Sequence, residues 1–477
     1  MKTTDTAAMQ RLLDSQRDAF TAARPEPLDT RRDRLKRLIA LLVDRGEDLS
    51  RAMSRDFGHR SHEQSMMTDI MPSVTFAKYC LKHLDRWART EKRSPNFPLS
   101  LFGAKAELRY EPKGVIGIVS PWNFPVGLTM SPVAQAFAAG NRVLIKPSEF
   151  TEDTSDLMAE LFAKYFAEDE VAVCVGGPEV GSAFCSLAFD HLLFTGATSI
   201  GKHVLHAAAD NLVPVTLELG GKSPTFLGRS ADFKRAGERI AMGKMMNAGQ
   251  ICLAPDYMLV PEDMADQAIS AVTSAVSAMY PTLLNNDDYT SVVNARHRDR
   301  LQGLIDDAKA KGAEAIEVNP GGEDFSASNG HKMPLTILRG VDDDMKVMQD
   351  EIFGPVLPVK TYRGIDEAID YVNAHDRPLG LYYFGDDAGE RERVLTRTIS
   401  GGVTVNDVVF HVSMDELPFG GVGPSGMGSY HGPEGFKTFS HARSVYRQPK
   451  FDIAKLAGLK PPYGKATAKT LAGALKK

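Results

Sequence analysis

The chain is short of the residues that would suit it to secretion or to nucleic acid. Only four cysteines occur in 477 residues (Cys80, Cys174, Cys185 and Cys252), too few and too scattered for a disulfide framework of the secreted kind. Positive charge is not in excess: 61 acidic residues outnumber 56 basic ones, for a formal net charge of −5, which excludes a general attraction to nucleic acid. No run reaches the roughly 18 apolar residues that a membrane span requires. The opening MKTTDTAAMQRLLDSQRD holds no apolar stretch of signal-peptide length, so a cytoplasmic, reducing setting is expected. The glycine fingerprint G-x-G-x-x-G of dinucleotide-binding turns is missing, as are internal repeats and low-complexity tracts. The basic end, YGKATAKTLAGALKK, could lie on a membrane surface as an amphipathic helix, although a frayed, solvated terminus is the plainer reading.

What is present reads as an α/β protein. A composition of 43% hydrophobic and 25% charged residues is ordinary for a globular chain, and the length calls for two or three domains. The N-terminal third has helical periodicity, strongest in LDTRRDRLKRLIALLVDRGEDLSRAMSRDFG, with Gly58 as the stop. From residue 107 onward, short runs rich in Val, Ile and Leu alternate with helical ones: GVIGIVS, SPVAQAFAAG, NRVLIKPS, VAVCVGG, HLLFTG and VPVTLELGG. Such alternation predicts right-handed crossovers and a mostly parallel sheet covered on both faces. A second series begins near residue 218, with ADFKRAGERIAMGKMMNAG and ADQAISAVTSAVSAMY as helices and DYMLV, GLYYFG and GGVTVND as strands. The polar, glycine-rich stretch 319–332 is expected to be a surface loop.

Chemistry-bearing residues are few. Cys252 lies in GKMMNAGQICLAPDYMLV, between a helical run and a strand; a free cysteine taken alone is more often a small buried apolar residue than a nucleophile. FTGATSIG places Gly196 and Gly201 at a strand-to-helix turn that could admit phosphate to the helix N-terminus, although turn glycines are commonly structural. VLIKPSEF ends a strand with Lys146 and Glu149 at its carboxyl edge, where parallel sheets bind ligands. His203 and His206 share a helix face but lack a third ligand at zinc spacing.

Seven motifs taken together are far more specific. PWNFP (121–125), KPSE (146–149), FTGATSIG (194–201), LELGGKSP (217–224), NAGQICLAPDY (247–257), EIFGP (351–355) and LPFGGVGPSGMG (417–428) occur in the order found in the aldehyde dehydrogenase superfamily. Residues 30 to 450 resemble that family, and GQICLAPDY and GGVGPSGMGSYHGPEGF look most like its class 3 branch, which includes the bacterial coniferyl aldehyde dehydrogenases. The resemblance implies a Rossmann-like NAD-binding domain (1–93 and 113–217), an α/β catalytic domain (218–407), a small β bridging arm for oligomerisation (94–112 and 430–450) and a tail (451–477). It implies NAD(P)-dependent oxidation of an aldehyde through a thioester on Cys252. Glu218 corresponds to the general base and Asn123 to the oxyanion donor. Trp122, Lys146, Glu149, Gly196, Gly201, Glu351 and Phe353 match cofactor-binding positions, and Glu149 favours NAD over NADP without excluding the latter. Ala197 stands where some relatives carry a serine or asparagine, so backbone N–H groups must suffice there.

Phe124, Tyr257 and Phe410 lie beside motif residues and could line an apolar substrate tunnel for aromatic, phenylpropenal-type or medium-chain aliphatic aldehydes; plain core is the alternative. A homodimer is expected, because the arm leaves a strand edge to be covered. Three rival functions remain at this level: a cysteine-dependent thioesterase or acyltransferase without redox chemistry, a non-catalytic binding protein on the same fold, and a dehydrogenase that uses coenzyme A in place of water, which Glu218 as a water activator disfavours.

Overall fold

The computed structural model describes residues 3–328 and 330–476, so within the 319–332 loop Asn329 lies outside the described residues. Three sheets organise the chain. The first has six strands in the order Gly426–Met427, Val215–Glu218, His191–Thr195, Val115–Val119, Arg142–Lys146 and Val171–Val173. All its pairings are parallel except that of Gly426–Met427 with Val215–Glu218. The second has seven strands, Glu314–Val318, Leu335–Arg339, Val356–Tyr362, Tyr257–Pro261, Pro224–Leu227, Gly380–Phe384 and Gly402–Val405, antiparallel only at Glu314–Val318. The third is antiparallel and small, built from Glu91–Arg93, Lys105–Pro112 and Ser440–Arg447.

The central strands are buried throughout; Arg142–Lys146, Pro224–Leu227, Tyr257–Pro261 and Gly380–Phe384 have no exposed residue. Continuous apolar runs are what a sheet covered by helices on both faces requires. The helix Leu28–Asp56 stops where Gly58 takes a left-handed φ of 71°, and Gly127–Ala139 ends at Gly140, also left-handed, which releases the chain into the strand Arg142–Lys146.

Four details differ from the sequence-based expectation. Glu91–Arg93 pairs with Lys105–Pro112, so the small sheet begins before residue 94. The boundary at 217/218 falls inside the strand Val215–Glu218. The segment after 407 returns to the first sheet through Gly426–Met427, which extends the edge beside Glu218. The helix expected to run to residue 249 ends at Met245; Asn247, Ala248 and Gly249 follow with φ of 51°, 53° and 73°, and three left-handed residues cannot continue a right-handed helix. No helix among the described residues is long and apolar enough to cross a membrane.

Candidate active site

That left-handed turn delivers Cys252. The chain swings out of the helix Phe233–Met245, turns at 247–249, and presents Cys252 just before the strand Tyr257–Pro261. An Asn-Ala-Gly sequence suits such a turn, since asparagine and glycine tolerate the left-handed region best. A Cβ on Gly249 would strike the backbone carbonyl carbon of Gly354 at 2.8 Å, so the turn also needs glycine for close approach. Gln250 then pins it: its side-chain amide donates to the carbonyls of Asn247 (2.9 Å) and Ser291 (3.0 Å), and its side-chain oxygen accepts from the N–H of Val293 (2.9 Å).

Cys252 is the one partly exposed cysteine of the four. Its thiol is raised above the ordinary range, first by burial and then by the carboxylates of Glu351 and Glu218, while the backbone N–H groups of Cys252 and Leu253 bond the sulfur and oppose the shift. A thiol in this setting stays protonated at neutral pH until a base removes the proton.

Glu218 ends the strand Val215–Glu218 and is held at its backbone from both sides, by Thr195 in one neighbouring strand and Gly426 in the other. The carbonyl of Glu218 accepts from the N–H of Gly196 at 3.0 Å. Its side chain is only 2% exposed, and neither carboxyl oxygen has a protein partner. Burial alone drives its pKa well above the usual carboxyl value, the condition for a carboxylate that takes protons near neutral pH.

Asn123 opens the other wall. The residue is buried, at 3% exposure, and its Nδ2 donates to the carbonyl of Gln250 at 3.1 Å. Its own carbonyl accepts from the Nδ2 of Asn247 at 3.0 Å. The PWNFP loop and the turn before Cys252 are therefore stitched together by amide–carbonyl bonds. Asn247 and Gln250 lie within the motif NAGQICLAPDY, but the motif alone assigns neither of them a role.

The residues expected to hold a dinucleotide come from both large sheets: Trp122, Lys146, Glu149, Gly196 and Gly201 lie at or after strand ends of the first, and Glu351 and Phe353 precede the strand Val356–Tyr362 of the second. Lys146 ends its strand buried, with Nζ donating to the carbonyl of Pro147 (2.8 Å) and to Glu149 (3.2 Å). The helix Thr198–Ala209 begins at Ala197 without a side-chain cap, which leaves N–H donors free for an anion. A Cβ on Gly196 would meet the Phe194 ring at 2.6 Å, and one on Gly201 would meet Leu219 at 2.8 Å. Glu351 packs against the Cα of Gly220, keeps Oε1 unpartnered and is pushed up to about 8, mainly by burial. Trp122 packs edge-on to Phe353 at 5.3 Å, with His297 at 5.1 Å. These free donors, orphaned acceptors and an aromatic wall fit a nicotinamide dinucleotide.

The proposed tunnel residues separate. Phe124 is partly buried and packs, like Cys252, against the large core cluster of the first sheet. Phe410 is 46% exposed on the short turn Phe410–Ser413. Tyr257 belongs elsewhere: it is 4% exposed in the core of the second sheet, beside Tyr371, and is a packing residue because its strand is covered on both faces. His203 and His206 are exposed.

Residues 1–445 match the model of the aldehyde dehydrogenase family. The chain belongs to the aldehyde dehydrogenase family. Among members, it is 56% identical to a probable coniferyl aldehyde dehydrogenase of Caulobacter vibrioides, over 99% of this chain and 97% of that protein. A substrate-bound structure of Staphylococcus aureus AldH superposes with a TM-score of 0.90 at 34% identity, covering 98% of this chain and 99% of the other. A Mycobacterium tuberculosis aldehyde dehydrogenase complexed with NAD+ superposes with a TM-score of 0.85 at 27% identity, covering 95% and 92%.

Proposed function

We propose that this aldehyde dehydrogenase oxidises aromatic aldehydes of the phenylpropenal type, such as coniferyl aldehyde, to carboxylic acids with NAD, through a thioester on Cys252. The observation that carries this reading is the buried Glu218 carboxyl, free of any protein partner, whose charge reaches the Cys252 thiol. The kinship with a coniferyl aldehyde dehydrogenase supports the aromatic substrate. Medium-chain aliphatic aldehydes are the second substrate class, and NADP the second cofactor.

Glu218 takes the thiol proton, and the Cys252 sulfur adds to the aldehyde carbon as the carbonyl π-electrons move to oxygen. The amide of Asn123 and the backbone N–H of Cys252 stabilise that alkoxide; losing one such donor costs roughly 2.7–4 kcal/mol in the transition state. When bound, NAD would serve as the acceptor of the hydride lost from the adduct carbon, which leaves a thioester on Cys252. Lys146 and Glu149 would hold its adenosine ribose, the free N–H groups after Ala197 its pyrophosphate, and Glu351 its nicotinamide ribose. Glu218, once it has passed the thiol proton to solvent, deprotonates a water that attacks the thioester; the carbon–sulfur bond breaks, the carboxylic acid departs, and Glu218 returns the water's proton to the Cys252 thiolate. We also place the protein in the cytoplasm as a homodimer.

The test is a rapid-mixing experiment with NAD and coniferyl aldehyde, read by absorbance of the reduced nicotinamide. Cys252→Ala is expected to abolish reduction. Glu218→Gln is expected to slow steady turnover by ~10²–10⁴ and to slow the single-turnover burst as well, since both the thiol and the water give up a proton to this carboxylate. Undiminished turnover in the Cys252→Ala protein overturns the mechanism.

A further inference from the structure

The segment from Arg60 to Ile70 precedes the first sheet and carries none of the family motifs, yet its polar side chains end on the site. The Arg60 guanidinium is fully buried and forks: Nη1 donates to the carbonyl of Asn123 at 2.7 Å and Nη2 to the Asp69 carboxylate at 2.7 Å. Its plane lies over the rings of Phe57 and Phe124, at 4.9 and 5.2 Å. The second oxygen of Asp69 accepts from the N–H groups of Val126 (3.2 Å) and Gly127 (2.9 Å), at the start of the helix that follows Asn123. Gln64 reaches the opposite wall. Its side-chain oxygen accepts from the backbone N–H of Asn247 at 2.9 Å and from Thr290 Oγ1 at 3.0 Å.

Asn247 and Ala248 are non-glycine residues in left-handed backbone, a conformation that persists only where surrounding contacts over-determine it. Gln64 satisfies the N–H of that turn, and Arg60 with Asn247 fixes the peptide plane of Asn123 from two directions. The donor amide and the nucleophile's turn are thus registered against one common support. We propose that Arg60 and Gln64 are positioning residues of the active site, holding the Asn123 amide and the Cys252 turn in the relative geometry that oxyanion stabilisation needs. The proposal rests on the role given to Asn123 above. A misplacement near 1 Å can cost roughly 10²-fold in rate, which sets the scale of effect.

The experiment measures the single-turnover hydride burst of the full chain with NAD and coniferyl aldehyde, normalised to folded sites. Two proteins probe the two arms. Gln64→Met keeps the side-chain length and removes the acceptor. Arg60→Met/Asp69→Asn removes the buried charges together and keeps an acceptor for the Gly127 N–H. Each is expected to lower the burst rate roughly 10- to 100-fold with the KM for NAD unchanged. Repeated in an Asn123→Ala background, the Arg60→Met/Asp69→Asn pair is expected to add no further loss, because residues acting through one group are not additive, whereas Gln64→Met, which acts through the Cys252 turn, is expected to keep its effect. An unchanged burst per folded site accompanied only by a lower melting temperature, or full additivity of the Arg60→Met/Asp69→Asn pair in the Asn123→Ala background, overturns the proposal. Gln64→Met carries the decision alone where the charge-pair variant does not fold. A normal burst in Asn123→Ala by itself instead overturns the oxyanion assignment, and this inference with it.

Discussion

At the scale of single residues, Glu218 concentrates the conflict between function and stability. A carboxyl with 2% exposure and two unpartnered oxygens destabilises the fold whenever it is ionised. The folded chain holds the Glu218 proton more tightly than the unfolded chain does, because burial raises its pKa. Between the ordinary carboxyl pKa and the raised one, the folded state therefore binds more protons, and stability falls as pH rises through that window. Glu218→Gln has no proton to lose. Its melting temperature without cofactor should exceed that of the parent by a margin that widens from about pH 5 to about pH 8, each unit of displacement being worth about 1.4 kcal/mol. Scanning calorimetry at the two pH values checks this, and a flat or shrinking margin contradicts it. Cys252, Glu218 and Asn123 were all legible as motif residues. Arg60 and Gln64 were not, and Asn247 lay in a motif without a role, because a polar side chain whose partner lies 63, 183 or 124 positions away leaves no local pattern in the chain.

At the scale of elements, apolar alternation placed the strands well because both large sheets are buried, and burial on two faces writes itself into composition. The two-residue strand Gly426–Met427 was beyond reach: it is held by pairing with Val215–Glu218 and by tight turns, not by its own residues. Helix packing near the site has a similar hidden dependence. Gly237 lies in Phe233–Met245, and a Cβ there would stand 2.6 Å from the carbonyl carbon of Ala271 and 2.8 Å from its oxygen, in the facing helix Ala265–Met279. Alanine would improve helix propensity by roughly 0.5–1 kcal/mol, but backbone obstructs it, and overpacking of this kind costs about 1–3 kcal/mol. The second effect wins. Gly237→Ala should lower the melting temperature, and adding Ala271→Gly should recover only part of the loss, since it removes the 2.8 Å methyl contact and leaves the backbone ones. Full recovery in the double variant would show that the helices slide apart freely.

At the scale of the molecule, the third sheet joins residues far apart in the chain, with Lys105–Pro112 paired to Ser440–Arg447 along eight positions. Its outer strand Ser440–Arg447 is mostly exposed and carries unpaired backbone groups along one edge, the arrangement that invites pairing with another chain. The charges on it are already engaged within the subunit: Arg443 with Glu111 at 3.2 Å, and Arg447 with Glu107 at 2.9 Å. They are therefore poor guards against association. Apolar side chains sit nearby in sequence and in the open, Phe97 at 81%, Leu101 at 73% and Phe451 at 65% exposure. Exposed aromatic and aliphatic groups beside a bare edge are what a homodimer interface would cover. Phe97→Ser/Leu101→Ser removes apolar surface without touching the two sheets that build the site. Light scattering coupled to size exclusion should find the parent as a dimer and the variant shifted toward monomer, with turnover per folded site retained. A monomeric parent, or a variant that stays dimeric at the lowest concentration measured, would show that the arm and its apolar tip do not bind the two subunits together.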